Sequence, residues 1–272
     1  MNTATLGYQA AGRTRGRYGF RTVARMEWQK LRTVRSTWSI VAVFAAAMIS
    51  LAVLALGHEN YAQLSAAGRA SFDPASNAFL GLVPGQLLLG VLGVLAITTE
   101  FSSGAIRATF AAAPRRRLVL AAKAAVLGAV TLAAGEISAF AAFSAGQAAL
   151  KAPAPHATLG QPGALRAVVL AGAYPALIAL IGLGIGAIIR HTAGAICALV
   201  GLVFLLPLLF APLSPSIQNT AQKFLPDLMR NSLTAVRPVA HMLSPWPTFG
   251  LLCAYALVAL AAGAWTLDRR DA

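Results

Sequence analysis

Residues Arg21 to Gly57 read RTVARMEWQKLRTVRSTWSIVAVFAAAMISLAVLALG, a basic lead-in followed from Trp38 by 20 residues without a charge. In a helix, 20 residues at about 1.5 Å rise cross a hydrocarbon core of about 30 Å. Five more runs of this kind follow: Phe79 to Thr99, Leu118 to Leu150, Ala167 to Ile189, Ala193 to Pro212 and Thr248 to Leu267. Period-two alternation is absent, and in lipid each backbone amide must find its partner within its own segment, which leaves helices. The sequence predicts an all-α, six-span transmembrane bundle.

The net charge of +14, from 22 Lys and Arg against 8 Asp and Glu, would point to nucleic acid on a soluble chain. Its placement excludes that reading. Sixteen of the basic residues fall before the first run, after the second, at Arg190 and after the sixth, while the alternate loops share six. This is the positive-inside pattern, which predicts both termini on the cytoplasmic face of the membrane. The bilayer, with its anionic lipid, is the expected partner of these charges, and nucleic acid is not.

A lead-in of 37 residues is too long for a signal peptide, so the first run reads as an uncleaved anchor. Residues 1–18 are polar and basic and are expected to be disordered. Residues 19–272 form one transmembrane domain. Cys197 and Cys253 lie inside apolar runs, where buried thiols act as small hydrophobes.

Before the first span, Phe20, Ala24, Trp28, Leu31, Val34 and Trp38 recur at steps of 4, 4, 3, 3 and 4, one stripe of a helix. Arg21, Arg25, Arg32 and Arg35 flank it. The pattern predicts a helix over residues 20–37 in the cytoplasmic interface, with Arg25, Glu27, Trp28, Leu31, Arg32, Arg35 and Trp38 as its characteristic residues. A solvated basic linker is the alternative. In the long third run, Lys123 is near enough to the interface to extend its ammonium there. Glu136 lies about 20 Å further along the helix and is a possible intramembrane polar site that needs pairing, a proton or a polar cavity. Gly182, Gly184 and Gly186 predict close helix approach, and Pro175 and Pro207 predict kinks. Between the last two spans, Ile217 to Leu225 and Asp227 to Val236 read as paired short helices over the outer mouth.

The segment with most functional content follows the second run: Glu100, Phe101, Ser102, Ser103, Gly104, then Ile106, Arg107 and Phe110, closed by Pro114, Arg115, Arg116 and Arg117. Ser102 or Ser103 is expected to cap a short helix that Pro114 stops. Ile106 and Phe110, four residues apart, would give it an apolar contact on a soluble partner, with Glu100, Arg107 and the arginine run fixing orientation. The arginines also suit a topology signal.

Two stretches, RMEWQKLRTVRSTW (Arg25–Trp38) and EFSSGAIRAT (Glu100–Thr109) with PRRR (Pro114–Arg117) after it, resemble the membrane subunits of ATP-binding-cassette transporters of the second permease type, especially those of high-GC Gram-positive bacteria. The resemblance implies that residues 100–113 form a coupling helix seated in a cleft of a separate ATPase. It implies that residues 20–35 form an interfacial connecting helix touching the same subunit. It further implies that a second permease subunit, identical or related, completes the pathway, most commonly for export.

The chain itself contains no Gly-Lys dipeptide and hence no phosphate-cradling loop. ATP and magnesium are therefore expected on the partner, and the chain is expected to carry no cofactor, metal or catalytic residue of its own. Its four histidines, His58, His156, His191 and His241, are scattered over loops. Two other readings stay open: an ATP-independent secondary transporter that uses Glu136, and a membrane scaffold that transports nothing.

Overall fold

The structure, a computed structural model, describes residues 19–112, 115–239 and 241–270. The tail at 1–18 and the breaker Pro114 lie outside the described residues, as does the side chain of Arg107. Among the described residues the chain is all-helical, without a strand. Six of its helices are long and apolar enough to cross a membrane.

Helix α1 (Phe20–Thr33) precedes the first span, α2 (Arg35–Gly57). After a 3-10 turn come two short helices, α3 (Ala66–Ser71) and α4 (Pro74–Asn77), then the span α5 (Leu82–Ser102), the short α6 (Ala105–Ala112) and the long span α7 (Arg116–Ala149). The span α8 (Ala164–Ile189) leads through a tight turn into α9 (Thr192–Val200), which continues by a π turn into α10 (Leu206–Phe210). Then follow α11 (Pro215–Phe224), α12 (Pro226–Thr234) and the last span, α13 (Pro245–Arg270).

The differences from the sequence reading have local causes. The helix expected over 20–37 breaks at Val34, whose backbone is extended, so Arg35 and Trp38 belong to the first turn of α2. Trp38 Nε1 donates to the Arg32 carbonyl at 3.2 Å and braces that corner. The second span starts at Leu82 rather than Phe79 and runs past Thr99 to Ser102. Neither serine caps the next helix. Both hydroxyls donate back to the Thr99 carbonyl, which fixes the end of α5 instead. Pro207 has no N–H and its ring would crowd the carbonyl four residues back. The chain answers by widening the preceding turn, so that Leu206 N–H reaches the Gly201 carbonyl. Cys197 is exposed and Cys253 partly exposed, on outward faces rather than in the core.

Helix α8 is the axis of the bundle. Of its most apolar stretch 78% is buried, against 22% for α2 and 28% for α13. It packs against α5, α7 and α13, with Leu170, Tyr174, Ile178 and Leu183 in the core. Lipid offers no hydrophobic drive between helices, so close backbone approach must supply van der Waals contact. The glycines of α8 do so: a Cβ on Gly182 would sit 2.3 Å from the Gly90 carbonyl oxygen of α5.

The short segments sort to two ends. At one end lie α1, α6 and the starts or ends of α5, α7, α8 and α13. Arg116 Nη1 donates to the Leu267 carbonyl (2.9 Å), Arg190 Nη2 to the Thr266 carbonyl (3.0 Å), and Arg117 pairs with Asp268. At the other end, Val236 N–H donates to Asp73 Oδ2 (3.1 Å), Arg237 Nη1 to the Ala70 carbonyl (3.1 Å) and Arg166 Nη2 to the Ala235 carbonyl (2.6 Å). The first end is the one rich in Lys and Arg.

Candidate functional site: a buried charge cluster at the basic end

Four ionisable side chains from three helices converge at the basic end. Val23, Glu27 and Lys30, at steps of 4 and 3, lie on the face of α1 that packs on α7. Glu100 comes from the last turn of α5, and Lys123 from the third turn of α7. Lys123 Nζ donates to Glu100 Oε1 at 2.8 Å and to Glu27 Oε2. Lys30 Nζ donates to Glu27 Oε1 at 2.8 Å and to the same Glu100 oxygen at 3.0 Å. Two carboxylates and two ammoniums make the set neutral.

Glu27 and Lys123 are almost wholly buried, at 2% and 5% side-chain exposure, so neither can exchange its partner for water. Burying single charges in such a place costs several kcal/mol each, and only the mutual pairing makes it tolerable. Lys30 sits at the mouth. Burial alone would lower its pKa, but the hydrogen bonds and charges of Glu27 and Glu100 outweigh burial and hold it above the ordinary lysine value of 10.5. Its contribution is complete at neutral pH and is lost only as pH rises through that raised value. A cavity of about 350 Å³ opens beside the cluster, walled by Leu92, Leu95 and Ala96 of α5 and Val34 and Thr37 at the α1–α2 corner.

The cluster also grips α6. Lys30 Nζ donates to Thr109 Oγ1 at 3.3 Å. Ile106 is buried, and Phe110 packs against Val23, Val119 and Ala122 with the Arg116 guanidinium 5.4 Å from its ring. Phe110, expected to meet a partner, thus faces inward onto α1 and α7, and Ile106, expected beside it, is buried as well. Glu100, expected beside them in the docking helix, belongs to α5 and is turned into the cluster. Among the described residues, Ser102, Ser103, Gly104, Ala105 and Ala108 of α6 and the segment before it are exposed. Gly104 makes the turn at φ 72, where a side chain would be strained. Arg115 and Arg117 are exposed beyond α6, and Phe101 lies under the Arg190 guanidinium at 5.1 Å.

Of the residues expected on the interfacial helix, Leu31 is half-buried, while Arg25, Trp28 and Arg32 of α1 and Arg35 and Trp38 of α2 are exposed. Lys123 does not extend to the interface as expected, because two carboxylates meet it inside. The signal for this was present: Glu27, Glu100 and Lys123 are opposite charges at similar depth on three segments that must meet.

A second polar set lies towards the other end. Gln86 of α5 donates from Nε2 to Asp227 Oδ1 of α12 at 2.6 Å, Tyr174 of α8 donates to Gln86 Oε1, and the Pro226 carbonyl is 3.1 Å from the Tyr174 hydroxyl. The sequence reading did not include it. Glu136 stands apart, half-buried over Gly172 of α8, where a glycine Cβ would meet its Cδ at 2.7 Å. Among the described residues no group of three or more His, Cys, Asp or Glu is placed to hold a metal ion. Comparison with known proteins finds no matching family model and no match among curated proteins.

Proposed function

We propose that this chain is the membrane subunit of an ATP-driven exporter of the ATP-binding-cassette type, paired with a second permease subunit and driven by a separate ATPase that holds ATP and magnesium. The observation that carries the reading is the attachment of α6. An eight-residue helix between two spans is anchored to α1 and α7 through Thr109 and Phe110, while Ala105 and Ala108 among its described side chains are left exposed. A helix that served only as a loop would need no such anchoring.

In this reading the ATPase grips the exposed residues Ser102, Ser103, Gly104, Ala105 and Ala108, and Arg115 steers the approach. Small residues suit that role, since a cleft can close on them without displacing bulky side chains. A push on α6 passes through Thr109 and Lys30 to Glu27 and Glu100, and through Lys123 to α7. Because the Lys123 pairs are buried, they hold α1, α5 and α7 as one block, and the displacement is delivered to two spans together. Helix α1 acts as the strut that keeps the block at the membrane surface.

Purification of the tagged chain from its own membranes tests this. ATP hydrolysis is expected to co-elute with it, and Ala108→Trp, on the exposed strip, is expected to lower the co-eluting activity at least about tenfold, the loss of about 1.4 kcal/mol of binding. The variant should keep its monodisperse elution. Undiminished hydrolysis in Ala108→Trp would remove α6 from the contact.

A further inference from the structure

The outer side of α1 and α7 carries a feature that transport coupling does not use. A groove of about 620 Å³ runs between Trp28 of α1, Trp38 and Val41 of α2, and a wall of α7 that reaches from Ala125 to Ile137. Apart from the two indoles the lining is aliphatic, and the Trp38 N–H is already taken by the Arg32 carbonyl. Ala125, Ala129 and Ala133 recur at i, i+4 and i+8, so the α7 wall is a shallow trough one side chain deep.

We propose that this groove holds one acyl chain of an anionic phospholipid, with the headgroup on Arg21, Arg25 and Arg32. Three observations select that occupant. The first is length: the 12 helical steps from Ala125 to Ile137 cover about 18 Å, close to the roughly 15 Å depth of one leaflet. The second is lining. Apart from the two tryptophans every wall residue is alanine, valine or isoleucine, so the groove offers a polar ligand no hydrogen bond and suits a hydrocarbon chain.

The third is charge. Arg21, Arg25, Trp28 and Arg32 follow steps of 4, 3 and 4, so the three exposed arginines share the stripe of α1 whose tryptophan lines the groove. The one acidic residue of α1, Glu27, points the other way, into Lys123 and Lys30. The outward stripe is therefore cationic without compensation from its own helix, and it lies where a headgroup would stand above the chain in the groove. The proposal is independent of any ATPase partner.

The test uses tryptophan quenching by brominated lipid in reconstituted vesicles, on the full chain carrying W246F and W265F so that Trp28 and Trp38 alone report. Brominated phosphatidylglycerol in a phosphatidylcholine bilayer is expected to quench at roughly tenfold lower mole fraction than brominated phosphatidylcholine in phosphatidylglycerol-free bilayers. R21Q/R25Q/R32Q, on an exposed surface, is expected to abolish that preference while keeping ordinary quenching. Ala133→Phe, which fills the trough, is expected to abolish it as well. Equal quenching by the two headgroups in the parent chain would overturn the proposal. So would an unchanged preference in the triple variant, and so would efficient disulfide cross-linking of two copies through Ala129→Cys, which would give the groove to a second chain.

Discussion

Lys123→Met is expected to cost the folded chain about 3–5 kcal/mol, because it leaves the carboxylates of Glu27 and Glu100 together with only Lys30 to balance them. Glu27 cannot turn to water, since its side chain is 2% exposed. Either a proton must enter or α1 must detach from α7, and both separate the strut from the spans. The companion variant sharpens the expectation. Lys123→Met combined with Glu27→Gln leaves one carboxylate and one ammonium, Glu100 and Lys30, still 3.0 Å apart and balanced. Most of the loss should then be recovered, since replacing a buried pair by neutral groups of similar size is often nearly neutral. Thermal unfolding in detergent, read as the loss of the monodisperse species, checks both. If the double variant is as unstable as the single one, uncompensated charge is not the cause.

Gly93→Ala is expected to have a loss of comparable size, about 3 kcal/mol or more, by a different route. An added Cβ would lie 1.9 Å from the Ala179 carbonyl oxygen, where α5 and α8 cross backbone to backbone. No rotamer can relieve a clash with a carbonyl, so the two helices must move apart along their shared contact. Because α8 is the axis on which α5, α7 and α13 all pack, the displacement would spread. Gly250→Ala in α13 is the control: nothing lies within 4 Å of its Cβ position, and alanine is the better helix former by about 1 kcal/mol. The same unfolding measurement should find that variant unchanged or slightly more stable.

The membrane-spanning architecture was legible in the sequence because it depends on local properties. Twenty apolar residues in a row need no partner to declare themselves, and the spans fall within a few residues of the runs. The ends were less legible, since they depend on where side chains turn. Whether Ser102 and Ser103 cap forwards or bond back to Thr99 is decided by the φ 72 turn at Gly104, which composition does not reveal. The placing of the boundary at Val34, a few residues before the expected one, is of the same kind, held by a tryptophan bond between the two helices.

The candidate site was half visible. Glu27 and Glu100 both stood in the segments singled out, and Lys123 was noted as a charge inside a span. What the sequence did not supply was the tertiary pairing that joins these three charges and Lys30 into one cluster. Ile106 and Phe110 show the same limit from the other side. Their spacing predicts a shared apolar face correctly, but spacing alone cannot say whether that face meets another protein or the helix next door. The polar set of Gln86, Tyr174 and Asp227 joins residues up to 141 positions apart and had no local signature at all.

The account turns on α6 as a grip for a nucleotide-hydrolysing partner, and site-specific photocross-linking from position 108 tests it most directly. With a photoreactive residue in place of Ala108, the account predicts one dominant adduct in native membranes, joined to a cytoplasmic polypeptide that binds ATP. An adduct only with lipid, or labelling of the same position by an impermeant reagent added outside intact cells, would contradict it.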